Sequence, residues 1–138
     1  VNTPTVMIGL TELNLGIIPG WGGTQRLPRI VGRAKALEMI LLSRRMTAED
    51  ALKTGLVNQL AEPGSLMTDA LTLARELAER PPVAVKWVLD SLTAGLYEGL
   101  DAGLNTEADG AAAVRDTEDR QEGFLAFLEK RKPVFTGK

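Results

Sequence analysis

The residues best placed to do chemistry lie between positions 12 and 24. Glu12 is flanked by Leu13 and Leu15. Downstream of it, Gly16-Ile17-Ile18-Pro19-Gly20-Trp21-Gly22-Gly23-Thr24 holds the densest glycine cluster of the chain. A phosphate-binding loop would need a Lys directly after its last Gly, and none follows here. A dinucleotide fingerprint fails because Gln25 stands where its third Gly is required. What remains is a tight turn feeding a helix N-terminus, which exposes backbone N–H groups beside a positive dipole end. A carboxylate brought close to such a turn can move a proton while an N–H orients a water or a developing anion. The competing reading makes Glu12 a surface residue and the glycines a plain turn, since surface charge is the default for Glu.

Composition narrows the chemistry. The 138 residues include no His and no Cys, which excludes a Ser-His-Asp triad, a Cys nucleophile, thiol redox chemistry and nearly every structural zinc site. Acid–base work must then fall to Asp, Glu, Lys or Tyr, and a carboxylate is nearest to neutral working range. Sixteen basic residues against 18 acidic ones give a net charge of −2, so no basic field is available for nucleic acid or an anionic membrane. With 44% apolar and 25% charged residues the chain reads as globular. No apolar run is long enough to cross a membrane, and Val1-Asn2-Thr3-Pro4 does not resemble a signal peptide. Absence of Cys fits a reducing compartment, the cytoplasm or a mitochondrial matrix. The missing initiator Met suggests a piece of a longer polypeptide.

The elements that must position Glu12 and the glycine turn follow from local patterns. Residues 5–18 are expected to be extended, from Thr5-Val6-Met7-Ile8 through the alternating Glu12-Leu13-Asn14-Leu15. Gly22-Gly23-Thr24 opens a helix to about Ile30, with Gly32 as its stop. A second helix, 34–42, is expected to bury Leu37, Ile40 and Leu41. A third is capped by Thr47, has Glu49 and Asp50 in its first turn, and ends at Gly55. Leu56-Val57-Asn58-Gln59-Leu60 reads as a short strand.

From residue 64 onward every pattern is helical. Ser65 caps a helix with the stripe Leu66, Ala70, Leu73, Ala74 and Leu77. Pro81-Pro82 ends it and starts the next, whose stripe Val85, Val88, Leu89, Leu92, Leu96 and Leu100 is expected to run for about five turns. Gly95, Gly99 and Gly103 weaken its end, and residues 109–115 have no clear pattern. A final helix starts near Thr117, carries Glu118 and Asp119 at its positive end and Lys130-Arg131-Lys132 at its negative end, and stops at Pro133. The expected organisation is therefore an α/β segment over residues 1–62 and an all-helical region over 63–138.

Thr11-Glu12-Leu13-Asn14-Leu15-Gly16-Ile17-Ile18-Pro19-Gly20-Trp21-Gly22-Gly23-Thr24-Gln25-Arg26-Leu27 resembles the central signature of the enoyl-CoA hydratase/isomerase (crotonase) family. The similarity continues at Thr47-Ala48-Glu49-Asp50-Ala51 and Gly55-Leu56-Val57-Asn58. It resumes at Thr117-Glu118-Asp119-Arg120-Gln121-Glu122-Gly123-Phe124 and at Phe127-Leu128-Glu129-Lys130-Arg131-Lys132-Pro133. The blocks follow the family order over nearly the whole chain.

The resemblance implies an end portion of the crotonase α/β spiral followed by a helical region that forms trimers, often paired into hexamers. It implies an acyl-CoA thioester as substrate, which itself carries the coenzyme A, and no metal or redox cofactor, because proton transfer and oxyanion binding suffice. Glu12 matches the second acidic residue, which exchanges a proton at the substrate α-carbon. Gly20 matches the glycine whose N–H holds the attacking water. Phe127 and Lys130 match positions on the last helix that contact coenzyme A, Lys130 through phosphate. Packing is the alternative for Phe127, and pairing with the helix dipole is the alternative for Lys130. Arg26 and Arg29 read as structural or interfacial, and Trp21 as packing beside the site.

The resemblance covers only the C-terminal half of a family member. The family's oxyanion-binding N–H donors, its first catalytic acid and most of its CoA groove would precede position 1. Thr11 stands where many members have Pro. Two functional readings follow. One is the C-terminal portion of a hydratase or isomerase, with hydration of a 2-enoyl-CoA to a 3-hydroxyacyl-CoA as the reaction. The other is a non-catalytic interaction module derived from the family.

Overall fold

The computed structural model describes residues 1–138. The chain forms two compact units, Val1–Ala70 and Leu71–Lys138, so the division falls inside a helix. No helix is long and apolar enough to cross a membrane.

In the first unit, β1 (Met7–Ile8) pairs antiparallel with β2 (Met46–Thr47), placing Met7 opposite Thr47 and Ile8 opposite Met46. Between the strands lie α1 (Gly23–Val31) and α2 (Arg33–Leu41), and α3 (Ala48–Lys53) follows β2 directly. The Thr47 hydroxyl accepts the Asp50 N–H at 3.1 Å, and Glu49 and Asp50 sit at the positive end of α3 as expected. The core is small: Leu27, Ala36, Met39, Met46 and Ala51 are buried, with Ile8, Leu10, Val31, Ile40, Leu56 and Val57 packed around them.

The details correct several sequence expectations. Residues 12–15 form a single 3-10 turn, not an extended segment. Gly16, at φ +71°, closes that turn by sending its N–H back to the Leu13 carbonyl at 3.0 Å. A four-residue polar–apolar alternation suits either geometry, and no neighbouring strand is present to pair with it. Residues 56–60 are not a strand. The N–H groups of Leu56 and Val57 both turn back to the Ala51 carbonyl at the end of α3. On α2 the buried face carries Ala36 and Met39, while Leu37 and Leu41 are exposed and Ile40 is half-buried.

The second unit is helical throughout. The first five residues of α4 (Leu66–Ala78) precede it and the rest of that helix lies within it, with α5 (Pro82–Tyr97), α6 (Leu100–Ala113) and α7 (Glu118–Glu129). Pro82 occupies the first turn of α5, where its missing N–H costs nothing. The long apolar stripe is split. Helix α5 ends at Tyr97, Gly99 takes φ +111°, and Leu100 starts α6. Residues 109–113, which lacked a pattern, complete α6.

Helices α5 and α6 form a tight antiparallel hairpin built on glycines. A Cβ on Gly103 would lie 2.8 Å from the Gly95 Cα, and one on Gly110 would lie 2.8 Å from the Trp87 Cβ. Small residues at these positions let the two backbones approach. In α7 the Thr117 hydroxyl accepts the Arg120 N–H at 3.1 Å, and the helix ends at Lys130 rather than at Pro133.

The stripes on α4 and α5 are not covered. No residue of α4 is buried, and Leu89, Leu92 and Leu96 are each about 60% exposed.

Candidate active site

Glu12 is carried by the 3-10 turn, whose backbone is held by Asn14 N–H on the Thr11 carbonyl at 3.1 Å and Ile17 N–H on the Glu12 carbonyl at 3.3 Å. Its side chain turns inward. Oε2 is buried and has no hydrogen-bond partner within the chain. A buried carboxylate oxygen without a partner is costly, so such a group marks a place where a ligand or a proton is accommodated.

The glycine turn is brought to the same place. Gly23 lies where Leu10 and Pro19 converge: a Cβ there would be 2.9 Å from both the Leu10 Cδ1 and the Pro19 Cβ. Leu10 precedes the turn that carries Glu12, and Pro19 is buried just before Gly20. One glycine therefore lets the segments bearing Glu12 and Gly20 pack together against the start of α1. Gly20 itself is exposed, its N–H has no backbone acceptor, and only the Ile18 carbonyl lies within 4 Å of where a Cβ would be, at 3.9 Å. The N–H is free to hold a small ligand. Trp21 does not pack beside the site, because its side chain is 95% exposed.

Phe127 and Lys130 lie in the second unit, at the end of α7. Phe127 is 80% exposed and forms one wall of an open apolar groove of about 530 Å³, with Pro81, Phe124 and Phe135 among the other walls. Lys130 stands in the left-handed region at φ +54°, a position that helix ends usually give to Gly. Its N–H donates to the Phe127 carbonyl at 3.3 Å, and the Arg131 N–H reaches the Ala126 carbonyl at 3.0 Å. A side chain in this conformation costs of order 1–3 kcal/mol and persists where the surroundings impose it.

The surroundings that impose it were not legible in the sequence. The Arg131 guanidinium grips the Glu122 carboxylate with two bonds, of 2.6 and 2.8 Å, and reaches Glu129 at 2.6 Å. Glu122 also accepts the Val134 N–H at 2.8 Å. One turn earlier the buried Asp119 carboxylate accepts the N–H groups of Thr136 at 2.7 Å and Gly137 at 2.9 Å. The C-terminal tail is thus strapped to α7. Lys132 pairs with Glu79 at 2.6 Å. Of the three consecutive cations, Arg131 and Lys132 are bound to carboxylates and Lys130 is in no ion pair. The unpaired ammonium is available for an external anion.

Arg131, and after it the Val134 N–H, pull the Glu122 carboxyl from 4.5 down to about 2. A depressed carboxyl stabilises the fold above its ordinary value and loses that contribution as pH falls through the folded value. The loss therefore begins near pH 4.5 and runs to completion only below about pH 2. We expect Glu122→Gln to flatten the decline of the melting temperature over that window. Melts that fall as steeply in the variant as in the parent would show that the clamp does not carry this linkage.

The sequence matches the enoyl-CoA hydratase/isomerase family over residues 2–138. It is 40% identical over 124 residues to the short-chain-enoyl-CoA hydratase of Clostridium acetobutylicum, covering 90% of this chain and 48% of that protein. It is 41% identical over 130 residues to the 2,3-dehydroadipyl-CoA hydratase of Escherichia coli K12, covering 94% of this chain and 51% of that protein. Among solved structures, the enoyl-CoA hydratase of Bacillus anthracis superposes with a TM-score of 0.89 at 40% identity, over 96% of this chain and 52% of that one. The chain belongs to the enoyl-CoA hydratase/isomerase family. It spans about half the length of the relatives it matches.

Proposed function

We propose that this chain works as the C-terminal half of an enzyme that hydrates a 2-enoyl-CoA to a 3-hydroxyacyl-CoA. The observation that carries this reading is the buried, unpartnered Oε2 of Glu12 on a segment packed against the Gly20 turn. In the proposed reaction an upstream carboxylate takes one proton from a water held by the Gly20 N–H as the water oxygen bonds to C3, and Glu12 delivers a proton to C2 of the enolate. Two carboxylates and a positioned N–H suffice for such proton transfers. The enolate that forms needs N–H donors at the thioester oxygen, and the upstream half would supply them. Relatives named as hydratases favour hydration over a shift of the double bond.

Coenzyme A would meet this chain at Phe127 and Lys130. The exposed ring offers a face for stacking, and the unpaired ammonium offers a charge for a phosphate. In the full-length polypeptide, Lys130→Ala should raise KM for crotonyl-CoA by about tenfold and leave kcat within about twofold, since uniform binding alone is removed. The same variant should act normally on crotonyl-pantetheine, which has no nucleotide. Equal losses on both substrates would remove Lys130 from phosphate binding.

The helical unit is proposed to self-associate as a trimer or hexamer. Its helices expose large apolar side chains, including Leu92, Leu96, Leu100 and Leu104 on α5 and α6, and such area is ordinarily covered by a partner surface.

A further inference from the structure

Arg26 lies in the second turn of α1, directly behind the Gly20 turn. Its backbone N–H donates to the Gly22 carbonyl at 2.9 Å, and its guanidinium donates to the Trp21 carbonyl at 2.5 Å. The same guanidinium covers Gly22, which sits at φ +85°, so closely that a Cβ there would collide with it. One side chain thus bonds the Trp21 carbonyl and lies over the Gly22 Cα, just after Gly20. On the other side the turn is fixed by buried Pro19 against Gly23. The Gly22 carbonyl also accepts the Gln25 N–H at 3.1 Å, while the Trp21 side chain, 95% exposed, adds no packing to the turn.

The electrostatics of Arg26 do not favour it as a mere stabiliser of α1. It is in none of the chain's ion pairs. It stands near the positive end of a helix whose first turn has no acidic residue. A cation there works against the helix dipole. Its bonds go to the turn alone.

We propose that Arg26 is a positioning residue: it locks the Pro19–Gly22 turn so that the Gly20 N–H points at the attacking water. This rests on the hydration reading above and assigns a function to a residue that the sequence suggests is structural or interfacial. A donor misplaced by a fraction of an ångström loses rate rather than substrate affinity. The lock therefore shows in kcat and not in KM.

The test uses the full-length polypeptide and crotonyl-CoA, with Arg26→Ala, Arg26→Lys and Glu12→Gln in parallel. Arg26→Ala should lower kcat by at least about tenfold with KM within about twofold. Millimolar guanidinium ion should restore part of the rate to Arg26→Ala and none to Glu12→Gln, an effect that a role in stability alone would not produce. If Arg26→Ala does not fold, Arg26→Lys carries the test, because it keeps the charge and loses the planar group over Gly22. It should then show at least about a threefold loss in kcat at unchanged KM. Normal kcat in the folded Arg26 variants, or no response of Arg26→Ala to guanidinium, overturns the positioning role. Normal turnover by Glu12→Gln would instead overturn the hydration reading itself.

Discussion

Glu12→Gln in the full-length polypeptide is expected to cut turnover of crotonyl-CoA by at least about 100-fold, the lower end of the range for an acid–base group. The amide keeps the shape of the side chain and cannot exchange the proton. The fold should survive, because Glu12 Oε2 makes no hydrogen bond that the substitution would remove. The backbone of its turn is held by main-chain bonds and by Gly16. The cost in stability should not exceed about 1–3 kcal/mol, the cost of a buried donor without an acceptor. Circular dichroism and a thermal melt check the fold, and loss of the enoyl-thioester ultraviolet absorbance reads the rate. Turnover within a few-fold of the parent would remove Glu12 from the mechanism.

A still larger effect is expected when the 138 residues are purified alone. Removing one oxyanion donor typically lowers kcat by about 10²–10³, and this half is proposed to work with two that lie upstream. Hydration by the isolated chain should therefore fall below detection even with Glu12 and Gly20 intact. The bare apolar faces of α4, α5 and α6 should show at the same time as self-association in sedimentation equilibrium at micromolar concentration, with a trimer as the expected species. Robust turnover by the purified chain would show that the essential groups are all present in it. A folded, inactive monomer would retain the half-enzyme reading and remove the assembly.

Legibility in the sequence followed the range of the interactions involved. The starts of α3 and α7 could be read because a Thr followed by two acids is a local device, and both hydroxyls accept the N–H three residues on. The Gly22–Gly23 start of α1 and the Pro81–Pro82 junction were equally local. The 3-10 turn of Glu12 is not legible, because four alternating residues do not distinguish one turn of helix from a strand. The spacing of Leu100 continues the α5 stripe, while the break is made by the backbone of Gly99 at φ +111°. The buried face of α2 depends on contacts with residues 46 and 51.

At the candidate site, the positions of Glu12 and Gly20 could be read from the motif, but their packing around Gly23 could not. Nor could the clamp beneath Lys130. It joins Glu122 to Arg131, nine positions apart, across a helix end that only the folded backbone defines. The sequence placed Asp119 at the positive end of α7, yet its carboxylate is spent on the tail at Thr136 and Gly137.

The most direct measurement is the fate of crotonyl-CoA in heavy water, followed by proton NMR of the acyl chain. With the full-length polypeptide the product should be 3-hydroxybutyryl-CoA carrying one deuterium at C2, delivered by the carboxylate that exchanges there, and with Glu12→Gln its formation should be suppressed. Crotonyl-CoA recovered unhydrated, or deuterated 3-hydroxybutyryl-CoA formed equally fast by Glu12→Gln, would contradict the assignment of this chain's chemistry to Glu12.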